Sequence, residues 1–134
     1  MKAAQLLVDV GNTRLKWARF AGGRLGRMHA AAHAGWRVAD YQRALAAALR
    51  GVVAVHVVSV GGAGVERALR AAIRAAGGPE PRFHGSTRRA AGLVNGYRET
   101  WRLGADRWLA AIGGWHLEGR RGRAVCVVEI GRAS

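Results

Sequence analysis

Leu6-Leu7-Val8-Asp9-Val10-Gly11-Asn12-Thr13-Arg14-Leu15-Lys16 passes from an apolar run through a glycine turn and out again. Leu6 to Val10 is short, rich in β-formers and stopped by Gly11-Asn12, so it predicts a buried strand. Thr13 to Phe20 follows with Leu15, Trp17 and Phe20 apolar, which predicts a second strand. Gly22-Gly23 turns into a weaker third strand, Leu25 to Ala32. The chain therefore opens as a β-meander with a glycine turn after its first strand.

Outward from this meander the pattern alternates. Asp40 is a candidate N-cap for a helix from Tyr41 to Arg50, with Leu45 and Leu49 on one face and Gly51 as its stop. Val52 to Val60 is apolar almost throughout and predicts a strand buried on both faces. Gly61 to Gly64 predicts a turn, and Val65 to Ala76 a helix closed by Gly77-Gly78-Pro79. Arg82-Phe83-His84 is a short candidate strand. Gly104 starts a helix running to about His116, with Trp108, Leu109, Ile112 and Trp115 on its apolar side. Ala124 to Ile130 predicts a further strand, with Cys126 as a small core residue. The order β-β-β-α-β-α-β is that of an α/β domain with a mixed sheet.

Composition bounds the function. The 134 residues are half hydrophobic, enough for a core and against global disorder. No apolar run reaches the ~18–20 residues of a membrane helix, and the N-terminal apolar stretch is too short for a signal peptide. One cysteine excludes an internal disulfide framework and fits a reducing cytosol. The net charge of +14 would suit a polyanion. Its carriers, however, are arginines scattered along the chain, and no basic run with interleaved aromatics marks a nucleic-acid module. Trp101, Trp108 and Trp115 are spaced by seven and read as core or dimer-face residues. The five histidines, His29 and His33 among them, form no metal-ligand spacing.

The segment from Asp9 to Lys16 has the chemistry of a phosphate loop. A carboxylate at the end of a strand, Asp9, orders magnesium through water. Gly11 admits a phosphate close to the backbone. Asn12, Thr13 and their amides donate to phosphate oxygens, and Lys16 adds a point charge. A plain hairpin turn at Gly11-Asn12 is the competing reading. The G-x-x-x-x-G-K-[ST] loop is absent.

These residues resemble the D-x-G-N-T-x-x-K motif of type III pantothenate kinases. Further on, Asn95-Gly96-Tyr97 and Leu103-Gly104-Ala105-Asp106-Arg107-Trp108 resemble that family's N-x-Y and L-G-x-D-R-W. The resemblance implies the N-terminal lobe of an actin-like, ribonuclease H-like ATPase fold. It implies phosphorylation of pantothenate to 4'-phosphopantothenate by ATP, the first step toward coenzyme A. Asp9, Val10, Gly11, Asn12, Thr13, Arg14, Leu15 and Lys16 would then hold ATP phosphates. Tyr97, Gly104, Ala105, Asp106 and Arg107 would line the pantothenate site, with Asp106 as the base. An aspartate flanked by Arg107 stays ionised and can accept the hydroxyl proton.

The match has departures. Glu129-Ile130-Gly131-Arg132-Ala133 stands where the family has D-x-G-T-A. Glu129 takes the place of an aspartate that helps hold a monovalent cation, potassium or ammonium. Arg132 takes the place of a threonine that contacts ATP. The expected organisation is a kinase lobe over 1–117 and the first strand of an otherwise missing second lobe over 118–134, with activity impaired in the chain alone. The resemblance further implies a cytoplasmic homodimer acting on small molecules, with neither membrane nor nucleic acid as partner. Two other readings compete: a silent kinase relative with a regulatory or transcription-accessory role, and a basic nucleic-acid-binding module.

Overall fold

The computed structural model describes residues 3–122 and 124–128. The chain clusters into two compact units, Met1–His84 and Gly85–Ser134. In the first, β1 (Ala4–Val10) alternates strictly: Ala4, Leu6, Val8 and Val10 are buried while Gln5, Leu7 and Asp9 are more exposed. That period of two gives β1 one core face. It pairs antiparallel with β2 (Arg14–Ala21) and parallel with β5 (Val52–Ser59). The predicted third strand is two pieces, β3 (Arg24–Leu25) and β4 (His29–Ala32), laid along the same edge of β2. β6 (Arg82–Phe83) extends β5 in parallel, so the strand order is β3-β2-β1-β5-β6 in a mixed sheet.

Two helices close this core. α1 (Val38–Leu45) contributes Tyr41 and Leu45, one turn apart, and α2 (Gly62–Ala75) contributes Leu69, Ala72 and Ile73. All join one cluster with Leu6, Val8, Val10, Leu15, Val55 and Val57. Burying each large aliphatic side chain is worth roughly 1.5–3 kcal/mol. Both helices pack against that one set of strand residues. This corrects the reading of β5 as buried on both faces: Val55 and Val57 are buried, but Val53 is exposed.

Helix limits also differ from expectation. Asp40 is the third residue of α1 and not its cap; its Oδ2 accepts the Arg37 N–H at 2.8 Å, reaching back over the first turn. α1 ends at Leu45, and the chain to Arg50 continues as turns. There Arg19 Nη1 donates to the carbonyls of Ala48 and Arg50 at 2.8 and 2.6 Å. α2 absorbs glycines expected in a turn. A Cβ on Gly61, just before α2, would lie 3.1 Å from Val10 Cγ1, so glycine lets the helix start approach the end of β1.

In the second unit β7 (Arg89–Ala90) and β8 (Leu93–Val94) form a hairpin. A single 3₁₀ turn over Thr100–Arg102 precedes α3 (Ala105–Leu117). Trp108 is buried, Trp115 is half-buried, and Trp101 is 73% exposed. Of the core and dimer-face readings, core packing holds for Trp108 and does not for Trp101. On the expected apolar side of α3, Leu109 is exposed as well.

The strand expected over Ala124 to Ile130 is not formed at 124–128, and 129–130 lie outside the described residues. Cys126 is exposed and not a core residue. The reason is that β-formers make a strand only beside a ladder partner. Here the run lies against α3: a Cβ on Gly114 would come within 2.6 Å of Val127 Cγ2.

Candidate active site

The segment from Asp9 to Lys16 is a hairpin. Asp9 and Val10 end β1, Gly11 to Thr13 turn, and Arg14 to Lys16 begin β2. Gly11 N–H donates to the Arg14 carbonyl at 2.9 Å, and a Cβ on Gly11 would sit 3.1 Å from that oxygen. Asp9 and Lys16 stand directly opposite in the ladder, both exposed. A carboxylate and an ammonium thus flank the mouth of the turn. Val10 and Leu15, named in the phosphate set, are core side chains at 0% exposure. Neither residue is accessible to a ligand, and the Val10 carbonyl accepts the Val60 N–H at 2.9 Å.

Behind the turn sits His33, buried at 4% exposure. Its Nε2 donates to the Gly11 carbonyl at 2.9 Å, and its main-chain N–H donates to the Thr13 carbonyl at 3.1 Å. Tyr41 Oη lies 2.8 Å from Nδ1. Burial, aided by the charge of Asp40, pushes the Tyr41 phenol above its ordinary range and keeps it protonated. Nothing in the local sequence announced His33, which lies 22 residues from Gly11.

In the second unit the Asn95–Tyr97 segment is braced from Arg88. The guanidinium donates to the carbonyls of Asn95, Tyr97 and Arg98 at 2.7, 2.6 and 2.7 Å. Asn95 is buried, and its Oδ1 accepts the Tyr97 N–H at 3.0 Å. With Oδ1 so committed, Nδ2 is the remaining donor, and it has no partner among the described residues. Tyr97, half exposed, lines a cavity of about 420 Å³ with Asn95, Leu103 and Trp108.

Gly104 caps α3, and Asp106 lies in its first turn. Asp106 is exposed and its Oδ1 accepts the Arg107 N–H at 2.8 Å. Arg107 lines a second cavity of about 670 Å³ with Leu103, Ala111 and Trp115. Leu103 and Ala111 are walls of both cavities. The expected set is therefore distributed: Tyr97 belongs to one cavity, Arg107 to the other, and Gly104, Ala105 and Asp106 line neither. Glu129 and Arg132 lie outside the described residues. Among the described residues no three His, Cys, Asp or Glu side chains form a metal cage.

Known proteins match this chain in sequence. A family model described as type III pantothenate kinase matches residues 5–134. A type III pantothenate kinase of Nitrosococcus oceani is 34% identical over 96% of this chain and 49% of its own length. That of Aromatoleum aromaticum is 39% identical over 92% and 48%. That of Cupriavidus taiwanensis is 41% identical over 84% and 47%. The chain spans about half the length of the curated relatives it matches. On the match across residues 5–134, the chain belongs to the type III pantothenate kinase family.

Proposed function

We propose that this chain carries the nucleotide-phosphate hairpin and part of the substrate site of a kinase that phosphorylates pantothenate with ATP. The reading includes an actin-like N-terminal lobe, a homodimer and a cytoplasmic setting. The observation that carries it is the Asp9–Lys16 hairpin, which sets a carboxylate opposite an ammonium beside a glycine turn.

Phosphoryl transfer is mostly positioning and charge neutralisation. The Asn12 and Thr13 amides make no main-chain bond among the described residues and are available to phosphate oxygens. Lys16 adds a positive charge at the same mouth. Asp9 fits a magnesium ion held through water, because Mg²⁺ takes few protein oxygens and keeps its waters. When bound, the ion would neutralise phosphate charge.

Tyr97 packs the substrate in the cavity it shares with Asn95. Arg107 pairs with the pantothenate carboxylate. Asp106, exposed at the start of α3, accepts the proton of the primary hydroxyl. That oxygen then bonds to the γ-phosphorus as the bond to the β–γ bridging oxygen breaks and ADP leaves.

The test is calorimetry of the 134-residue chain with magnesium-ATP and with pantothenate, together with a radiolabel assay for phosphopantothenate. Binding of both ligands is expected, with Asp106→Asn keeping pantothenate affinity while lowering any turnover about 10²-fold or more. Failure to bind either ligand would sink the reading.

A further inference from the structure

The phosphate hairpin is held from behind by a residue that no motif contains. His33 is one of two buried polar side chains among the described residues. It grips the turn twice, through its ring at Gly11 and through its main chain at Thr13. A carbonyl can only accept, so the ring nitrogen facing Gly11, Nε2, carries the proton. In the neutral imidazole Nδ1 then has a lone pair, and Tyr41 Oη donates to it. The ring is boxed by aromatic neighbours as well. Trp36 meets His33 edge-on at 6.4 Å and Tyr41 edge-on at 5.2 Å between centroids. Tyr41 is itself 1% exposed on α1, so the brace is anchored in the core of the first unit.

The peptide plane gives this brace a consequence for binding. In a trans peptide the carbonyl and the following N–H point in opposite directions. Among the described residues no peptide bond is cis. Holding the Gly11 carbonyl against His33 therefore aims the Asn12 N–H away from the core, toward solvent at the turn. That amide and the one of Thr13 make no main-chain bond among the described residues. A turn free to rotate its peptide planes would present carbonyl oxygens to a phosphate part of the time, and like-charged oxygens repel it.

We propose that His33 is a positioning residue for nucleotide binding: with Tyr41 fixing its tautomer, it orients the Gly11–Asn12 peptide so that the Asn12 amide faces the phosphates. The proposal rests on the phosphate-hairpin reading above. His33 itself touches neither nucleotide nor pantothenate.

The experiment uses the 134-residue chain with His33→Leu, His33→Gln and Tyr41→Phe. Nitrogen-detected histidine spectra and the Asn12 amide resonance report the brace; calorimetry with magnesium-ATP and with pantothenate reports its use. The wild-type ring is expected as the Nε2–H tautomer. His33→Leu is expected to move the Asn12 amide and weaken magnesium-ATP about tenfold or more, with pantothenate affinity unchanged. His33→Gln, whose amide can donate to Gly11 and accept from Tyr41, is expected to recover most of that affinity. Tyr41→Phe is expected to mix the tautomers and fall between.

A folded His33→Leu with wild-type nucleotide affinity overturns the proposal, as does an Nδ1–H tautomer in the wild type. If His33→Leu does not fold, the Gln and Phe variants decide by the same spectra and titrations. If the wild-type chain binds no nucleotide, the phosphate reading fails separately. The brace then stands on an Asn12 amide shifted in Leu and restored in Gln, and falls if that resonance does not move.

Discussion

Gly104 has φ −55° and ψ 146°, dihedrals that any residue adopts, so its backbone does not call for glycine. Its neighbour does. A Cβ there would lie 2.7 Å from Asp106 Oδ1, and the carboxylate would have to move. Gly104→Ala is expected to displace Asp106 and lower phosphoryl transfer about tenfold or more, while leaving the melting temperature within a few degrees. Parallel turnover and thermal-melt measurements check it. Arg88 acts on Tyr97 in the same indirect way. Arg88→Ala removes three charge-assisted bonds to the loop and should weaken pantothenate binding with magnesium-ATP affinity unchanged. Calorimetry with each ligand separates the two effects. The motif residues around these positions were legible because their spacing is local. His33 and Arg88 were not, because their partners are carbonyls, and a carbonyl leaves no trace in residue identity.

At the scale of elements, the β7–β8 hairpin turns through Ala91 and Gly92, at φ 50° and 84°. Two positive φ values are the requirement of a hairpin turn that favours Asn-Gly, and alanine meets the first at a steric cost of about 1–2 kcal/mol. Ala91→Asn should raise the melting temperature, as a thermal scan will show. The β5–β6 junction makes a second prediction. His56 lies between His84 Nε2 at 2.9 Å and Gln5 Oε1 at 3.0 Å. Burial, then His84 and Arg82, lowers its pKa below the ordinary 6.5. Unfolding releases His56 to take up a proton that the folded form resists, so this contribution is present above pH 6.5 and lost as pH falls through the folded pKa. Stability should drop on acidification below pH 6.5 and level off below the folded pKa, and His56→Gln should flatten the drop, read by denaturant titrations across pH. β5 and β6 were foreseen as strands, while the β7–β8 hairpin was not. Helix α1 starts where Asp40 accepts the Arg37 N–H, and Arg19 holds the turns that follow the helix; those bonds are made by folding.

Over the whole molecule the charge of +14 remains the most conspicuous property. Arg14, Arg24, Arg27 and Arg37 are all exposed, spread over β2, β3 and the approach to α1. Others are paired locally: Arg43 with Asp40, Arg70 and Arg74 with Glu80, Arg102 with Glu99. Scattered cations of this kind bind duplex DNA through phosphate alone, so any affinity should fall steeply between 50 and 200 mM salt. Pantothenate affinity should change far less over the same range, which a salt series on both ligands checks. No helix among the described residues is long and apolar enough to cross a membrane.

What the amino-acid order determined by itself is the meander, the alternation of strand and helix, and the three motifs. Period-two burial, i to i+4 apolar pairs and short glycine-marked turns all act within a few residues, so they are written locally. What only the tertiary structure decided is which apolar runs become strands and which polar groups hold the motifs in shape. Ala124 to Val128 has the composition of a strand and no ladder partner among the described residues, so it packs on α3 instead. Val10 and Leu15 sit inside a phosphate motif and belong to the core, while His33 sits outside every motif and orients one. Burial and hydrogen-bond partnership are properties of the assembled sheet and helices, and no single stretch of sequence contains them.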